Sequence, residues 1–320
     1  MRFFKLIKNH YIKIALTFGL FLIFLLIYKV GISNLLNTVK EMNVILLLLS
    51  VFPLILYIIL TSYRWQCLLA KKNVHVPLSD LFRATCIGYF YSIITPTQVG
   101  TLAKMLYLRD KSIKKEVLVL TTLTDKFLEA VSLLIIASIG TLMFVHSRWN
   151  NYIYGFSIIF ILVGLSTGLL DKSLFGRLAV AIYNFVIPSD IKSRYGTKIK
   201  NLYRNIPTLG ESFYPLIISL FAWVTVYTCI YLISLSVNLG VSFPVLVSAL
   251  SFSSVIGLIP ITVSGIGTRE AALLLVLGEY TASPEKILGM SIVSFIIART
   301  APALAGAVYL WLWEKDRLRD

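Results

Sequence analysis

Six apolar stretches of helix length run through the chain, at 14 to 28, 44 to 62, 117 to 145, 152 to 170, 213 to 237 and 287 to 313. A helix needs about 20 predominantly apolar residues to cross a bilayer. Hydrocarbon offers no partner for backbone N–H and C=O groups, so such a run satisfies its own polar groups as a helix. The period-two alternation of a transmembrane strand is not seen in these runs. With 58% hydrophobic and only 14% charged residues among 320, a soluble globular chain is excluded. The expectation is an all-α polytopic membrane protein, a single transmembrane domain over residues 1–320, with about six full crossings.

The formal net charge of +15 comes from lysines and arginines that fall between apolar runs rather than in one patch with interleaved aromatics. They therefore report topology, and no nucleic-acid partner is expected. With the N-terminus in the cytoplasm, six crossings return the C-terminus to the same side. The cytoplasmic segments then hold 23 of the 30 lysines and arginines, Arg64 and Lys104 among them. Arg2, Lys5, Lys8 and Lys13 precede the first run as they would in a signal peptide, but no small-residue cleavage site follows Val30, so an uncleaved first helix is expected. Cys67, Cys86 and Cys229 lack CxxC spacing and read as small buried residues.

Two further apolar stretches do not fit the crossing count. Residues 78 to 112 begin and end in basic, cytoplasm-like sequence, and residues 244 to 283 must begin and end outside. Each reads as a re-entrant helical hairpin whose tip carries chain breakers, Pro96 and Gly100 in the first, Pro260, Gly265 and Gly267 in the second. Non-helical backbone at membrane depth is tolerated where it is buried in protein or lines a wet cavity, so the tips point to an internal site. Ordinary proline-kinked helices are the alternative. Crossing, hairpin and crossing recur at about 44–145 and again at about 213–313 with opposite orientation, as in an inverted repeat with a substrate site between its halves. The basic linker at about 171–212 is the main extramembrane segment, and is expected to be cytoplasmic.

Charges inside the apolar runs narrow the site. Asp125 and Glu129 are spaced i, i+4 on one helix face, with Lys126 between them. Each would cost about 3 kcal/mol unpaired at the bilayer centre, so partners are required. By rise per residue, Glu129 and Arg299 lie at similar depth, roughly 20 Å from the cytoplasmic ends of their helices, which makes them the preferred pair. Arg269 and Glu270 open a half-helix after the second tip, where free N–H groups and a positive dipole end suit an anion such as a lipid phosphate. Lys104 follows the first tip in a comparable place. Structural ion pairs that merely fix helix packing are the competing explanation.

His10, His75 and His146 lie far apart, and neither HExxH, GxxxxGK[ST] nor GxSxG occurs. No metal, nucleotide or other cofactor is expected, and no catalytic residue. Tyr63-Arg64-Trp65, Thr95-Pro96-Thr97-Gln98-Val99-Gly100, Thr124-Asp125-Lys126 and the segment from Ile259 to Glu270 together resemble the lysylphosphatidylglycerol synthase transmembrane-region family. That family includes the flippase half of the multiple peptide resistance factor and many stand-alone membrane proteins. The resemblance implies a flippase-like bacterial or archaeal inner-membrane protein whose partner is a membrane lipid. On the translocation reading of these charges, Lys104, Arg269 and Arg299 are expected to hold a lipid phosphate, and Asp125, Glu129 and Glu270 to balance those charges or to bind an amine or a coupling proton. The longest soluble stretch is about 40 residues, too short for an acyltransferase core, so the chain is not expected to be an enzyme. A non-catalytic membrane partner of a separate lipid aminoacyl- or glycosyltransferase is the alternative.

Overall fold

A computed structural model describes residues 21–108, 113–143, 209–258 and 265–317, together with Thr17 and Thr262. The apolar run at 152 to 170, most of the basic linker at 171 to 212, and Pro260 lie outside the described residues. Every regular element among those described is helical. α1 (Phe21–Val30) and α2 (Ile32–Lys40) meet at an angle of 82° at Gly31, whose φ of 89° is open to glycine. The first apolar run thus anticipates α1, and the chain then turns sharply into α2. There follow α3 (Val44–Ala70), α4 (Leu78–Ile94), a 3-10 stretch (Pro96–Ala103), the single turn α5 (Lys104–Tyr107) and α6 (Lys115–Met143). The second half comprises α7 (Leu209–Ser236), α8 (Phe243–Leu258), α9 (Thr268–Leu277), α10 (Pro284–Phe295), a π turn (Ile296–Thr300) and α11 (Ala301–Arg317).

Among the described residues, three helices are long and apolar enough to cross a membrane: Val44–Ala70, Ser212–Ser236 and the continuous Pro284–Lys315. The bent pair α1 and α2 would make a fourth. α6 is as long, at 29 residues, but carries Asp125, Lys126 and Glu129 along its length. α3 begins where the Asn43 side chain accepts the N–H groups of Ile45 and Leu46 at 3.0 and 3.3 Å, satisfying donors that a first turn leaves open.

α3 and α7 pack as an antiparallel pair. At one end the Asn43 N–H donates to the Ser236 carbonyl at 3.0 Å, and at the other the hydroxyls of Tyr63 and Tyr214 lie 3.3 Å apart. α4 packs against α11, and α8 against α6. Small residues let these backbones approach, as membrane helices require in the absence of a hydrophobic drive between them. A Cβ at Gly306 would strike the Cys86 carbonyl of α4, and one at Gly140 would come within 2.9 Å of the Ser248 Cα of α8. Many buried serines turn their hydroxyls onto their own helix, as Ser132 does to the Leu128 carbonyl at 2.7 Å, which satisfies them within the interface.

Both chain breaks fold back on the helix before them. After α4 the 3-10 stretch returns against it, and a Cβ at Gly100 would strike the Tyr91 carbonyl. The Gly100 N–H donates to the Thr95 hydroxyl at 2.8 Å, which closes this turn. The return arm is thus a 3-10 stretch and one α turn rather than a full helix. After α8, α9 packs back against it, with Gly265 (φ 74°) and Gly267 (φ 87°) in the left-handed region and Gly265 seated on Gly257.

Candidate functional site

The charges of α6 meet their partners where α3, α5 and α7 converge. Arg64, 1% exposed on α3, donates its Nε–H to Asp125 Oδ1 at 2.6 Å and an Nη1–H to Ser219 Oγ at 2.6 Å. Its Nη2 stands 3.6 Å from Glu129 Oε2. The Lys104 ammonium donates to Asp125 Oδ2 at 2.5 Å and lies 4.4 Å from the centre of the Trp65 ring. Trp65 is held by its own Nε1–H to Thr121 Oγ1 at 3.3 Å. Asp125 thus bridges two buried cations, one on each carboxylate oxygen. Such charge-assisted bonds offset the desolvation that burial imposes on all three groups.

Glu129 takes Lys126 as its near partner, Nζ to Oε1 at 2.8 Å, in addition to Arg64. The expected Glu129–Arg299 ion pair is replaced by these two. Glu129 and Arg299 line the same cavities, but the cations nearer to Glu129 come from its own helix and from α3. Arg299 sits in the π turn, its guanidinium carbon 6.0 Å from the centre of the Tyr89 ring. A π turn widens a helix by one residue and costs hydrogen-bond geometry, and such bulges recur at functional sites.

Glu270 is fully engaged. Its Oε2 accepts the Gly267 N–H at 2.7 Å and its Oε1 accepts the Ser291 hydroxyl at 2.9 Å, which pins the start of α9 to α10. Arg269, its neighbour, faces a cavity, and its buried Nε has no hydrogen-bond partner among the described residues.

Two cavities with charged side chains in their walls occupy this region of the described residues. One, of about 40 Å³, is lined by Arg269, Glu270, Trp223, Ser254, Gly257 and Gly265 from the second half. The other, of about 30 Å³, is lined by Tyr57, Tyr89, Thr101, Lys104, Thr122 and Asp125 from the first half. Lys126, Glu129 and Arg299 line both, so they form a shared wall between two lobes. Each lobe exceeds the roughly 10 to 15 Å³ that one water requires, and the walls supply its partners. The buried Thr122 hydroxyl also has no partner among the described residues, and it faces the second lobe.

The sequence profile of the lysylphosphatidylglycerol synthase TM region matches residues 12–306. The chain belongs to this family. Membership with the apolar helices above makes it a multi-pass membrane protein of lipid modification or translocation. No curated protein matches the chain. Within this family member the charged residues singled out from sequence fall into one neighbourhood, except that Lys104 is bound to Asp125 and Glu270 to backbone and Ser291. Of the tip residues, Gly100 shapes the first turn, Gly265 lines the first lobe, and Gly267 starts α9. Arg64 is the central residue that charge counting placed in a cytoplasmic loop. Its signal was position, six residues inside the end of a 27-residue apolar helix.

Proposed function

We propose that the protein translocates a lipid by carrying its anionic headgroup through the two lobes while the acyl chains stay in the bilayer. The observation that carries this reading is Arg269, a cation whose Nε lies buried and, among the described residues, unpartnered at the wall of a cavity. A buried donor without a partner costs about 1 to 3 kcal/mol, and a phosphate oxygen would satisfy it. The guanidinium fork suits phosphate, and the start of α9 adds a positive dipole end beside it. Arg299 and Lys126 supply further positive charge on the same lobe.

The reading includes six crossings, two re-entrant hairpins and an inverted repeat, in the cytoplasmic membrane with both termini inside. Reciprocal packing supports the repeat. α3 pairs with α7, the first arm of one half (α4) packs on the last helix of the other (α11), and α8 does the same on α6. A two-fold exchange of halves predicts this pattern, and places a substrate between them. The partner is a membrane lipid, and the chain acts without a cofactor and without catalysing a reaction.

The test is leaflet exchange of a fluorescent phospholipid in proteoliposomes, read by quenching from one side. The wild type should exceed empty vesicles, and Arg269→Ala should lower the rate about tenfold or more at equal reconstituted amounts, with folded protein in the membrane nearly unchanged. Full activity of the alanine form would sink the assignment. Exchange absent from the wild type as well would turn the reading toward a non-catalytic partner of a separate lipid-modifying enzyme.

A further inference from the structure

The lining of the two lobes narrows the headgroup, on the premise of the translocation reading. Among the described residues, five cations face the lobes: Arg64, Lys104, Lys126, Arg269 and Arg299. Three carboxylates face them, Asp125, Glu129 and Glu270, which leaves a surplus of two positive charges. Each of the three already has a partner, Glu129 the most loosely, with its Oε2 3.6 Å from Arg64 Nη2. Asp125 carries Arg64 and Lys104, Glu129 carries Lys126 with Arg64 beside it, and Glu270 holds Gly267 and Ser291. An ammonium group would enter a space already over-supplied with cations.

We infer that the headgroup this chain recognises is a bare lipid phosphomonoester, without an amine. A phosphomonoester carries about −1.5 to −2 charge near neutral pH, which matches the surplus, whereas a phosphodiester supplies a single charge. The lysyl lipid in the family's name carries two ammonium groups against one phosphodiester, so its headgroup is net cationic and ill suited to this lining. Arg269 is the phosphate contact, Arg299 the second cation on the same lobe, and Trp223, fixed by its Nε1–H to the Glu129 carbonyl at 3.1 Å, is the apolar side.

The test is a competition for purified protein in detergent, read by native mass spectrometry, among phosphatidic acid, phosphatidylglycerol and lysyl-phosphatidylglycerol with identical acyl chains. Phosphatidic acid should be retained about tenfold over phosphatidylglycerol, with the lysyl lipid last. Arg269→Lys, which keeps the charge, should keep this order, and Arg269→Gln, which removes one positive charge, should shrink the preference for phosphatidic acid to a few-fold. Equal or better retention of the lysyl lipid, or an unchanged preference in Arg269→Gln, would overturn the inference. Inorganic phosphate displacing phosphatidic acid at comparable concentration would overturn the lipid as its source. Running the same three lipids through the exchange assay separates the two claims. Exchange of all three with the lysyl lipid fastest sinks the phosphomonoester assignment and leaves translocation standing. Selective retention without exchange sinks translocation and supports the phosphomonoester selectivity.

Discussion

Asp125 holds two buried cations at once, Arg64 on one oxygen and Lys104 on the other, and this makes it the residue whose loss the fold should feel most. Replacing it with asparagine keeps the volume but strips Lys104, 8% exposed, of its carboxylate and leaves Arg64, 1% exposed, only Glu129 at 3.6 Å. Truncating one member of such a buried group typically costs about 3 to 5 kcal/mol. We expect Asp125→Asn to lower the thermal midpoint in detergent markedly, and Asp125→Asn combined with Lys104→Met to lower it by less than the sum of the two singles. Additive losses would show that Lys104 and Asp125 do not share their energy. Asp125, Lys126 and Glu129 were legible in the sequence because each interrupts an apolar run. Arg64 was not, because a cation six residues from a helix end reads as one that snorkels to the headgroups. Depth alone matched Glu129 with Arg299, but depth does not fix the angle about the helix axis, and the angle gave Glu129 to Lys126 and Arg64.

At the scale of the element, glycine decides how closely the pieces approach. Gly100 and Gly306 leave no room for a methyl group, since in each case the obstacle is a backbone carbonyl that cannot swing aside. Gly240 has open space around it and only a positive φ of 75° to set against a side chain. Gly100→Ala and Gly306→Ala should therefore sharply reduce folded protein in the membrane, while Gly240→Ala should cost only about 1 to 2 kcal/mol and remain abundant. Abundance read from a C-terminal fluorescent fusion, by size-exclusion profile, separates them. An abundant monodisperse Gly306→Ala would contradict the tight crossing of α4 and α11. The breaks at Pro96 and after Leu258 were visible in the sequence as proline and glycine among apolar residues. The 3-10 form of the first return arm was not, because it arises from packing of that stretch on α4 at Gly88 and Gly100, contacts distant from any local propensity. The π turn at Arg299 was equally hidden, since its residues have ordinary helix-forming character.

Across the whole molecule, one end gathers Asn43, Ser236 and the start of α10, where Lys286 donates to the Asn238 carbonyl at 3.0 Å. The other end gathers Tyr63 with Tyr214, and Tyr107 against Trp313 at 5.7 Å between ring centres. Loops at His75 and Glu279 are exposed and belong to opposite ends. In a background lacking Cys67, Cys86 and Cys229, His75→Cys should react with an impermeant maleimide from the cytoplasmic side and Glu279→Cys from the outer side. Labelling of both from one side would overturn the topology that the charge count and this arrangement share. Between the two ends, the lobes are divided by Lys126 and Glu129, neighbours on one turn of α6, with Arg299 across from them. A partition made of side chains sorts what crosses it by time. Side chains rearrange faster than helices, which shift in microseconds to milliseconds. On the translocation reading, water between the lobes waits only for the Lys126–Glu129 pair to open, while anything of headgroup size waits for the helices, and the permeation of the small and the transit of the large become separate rates.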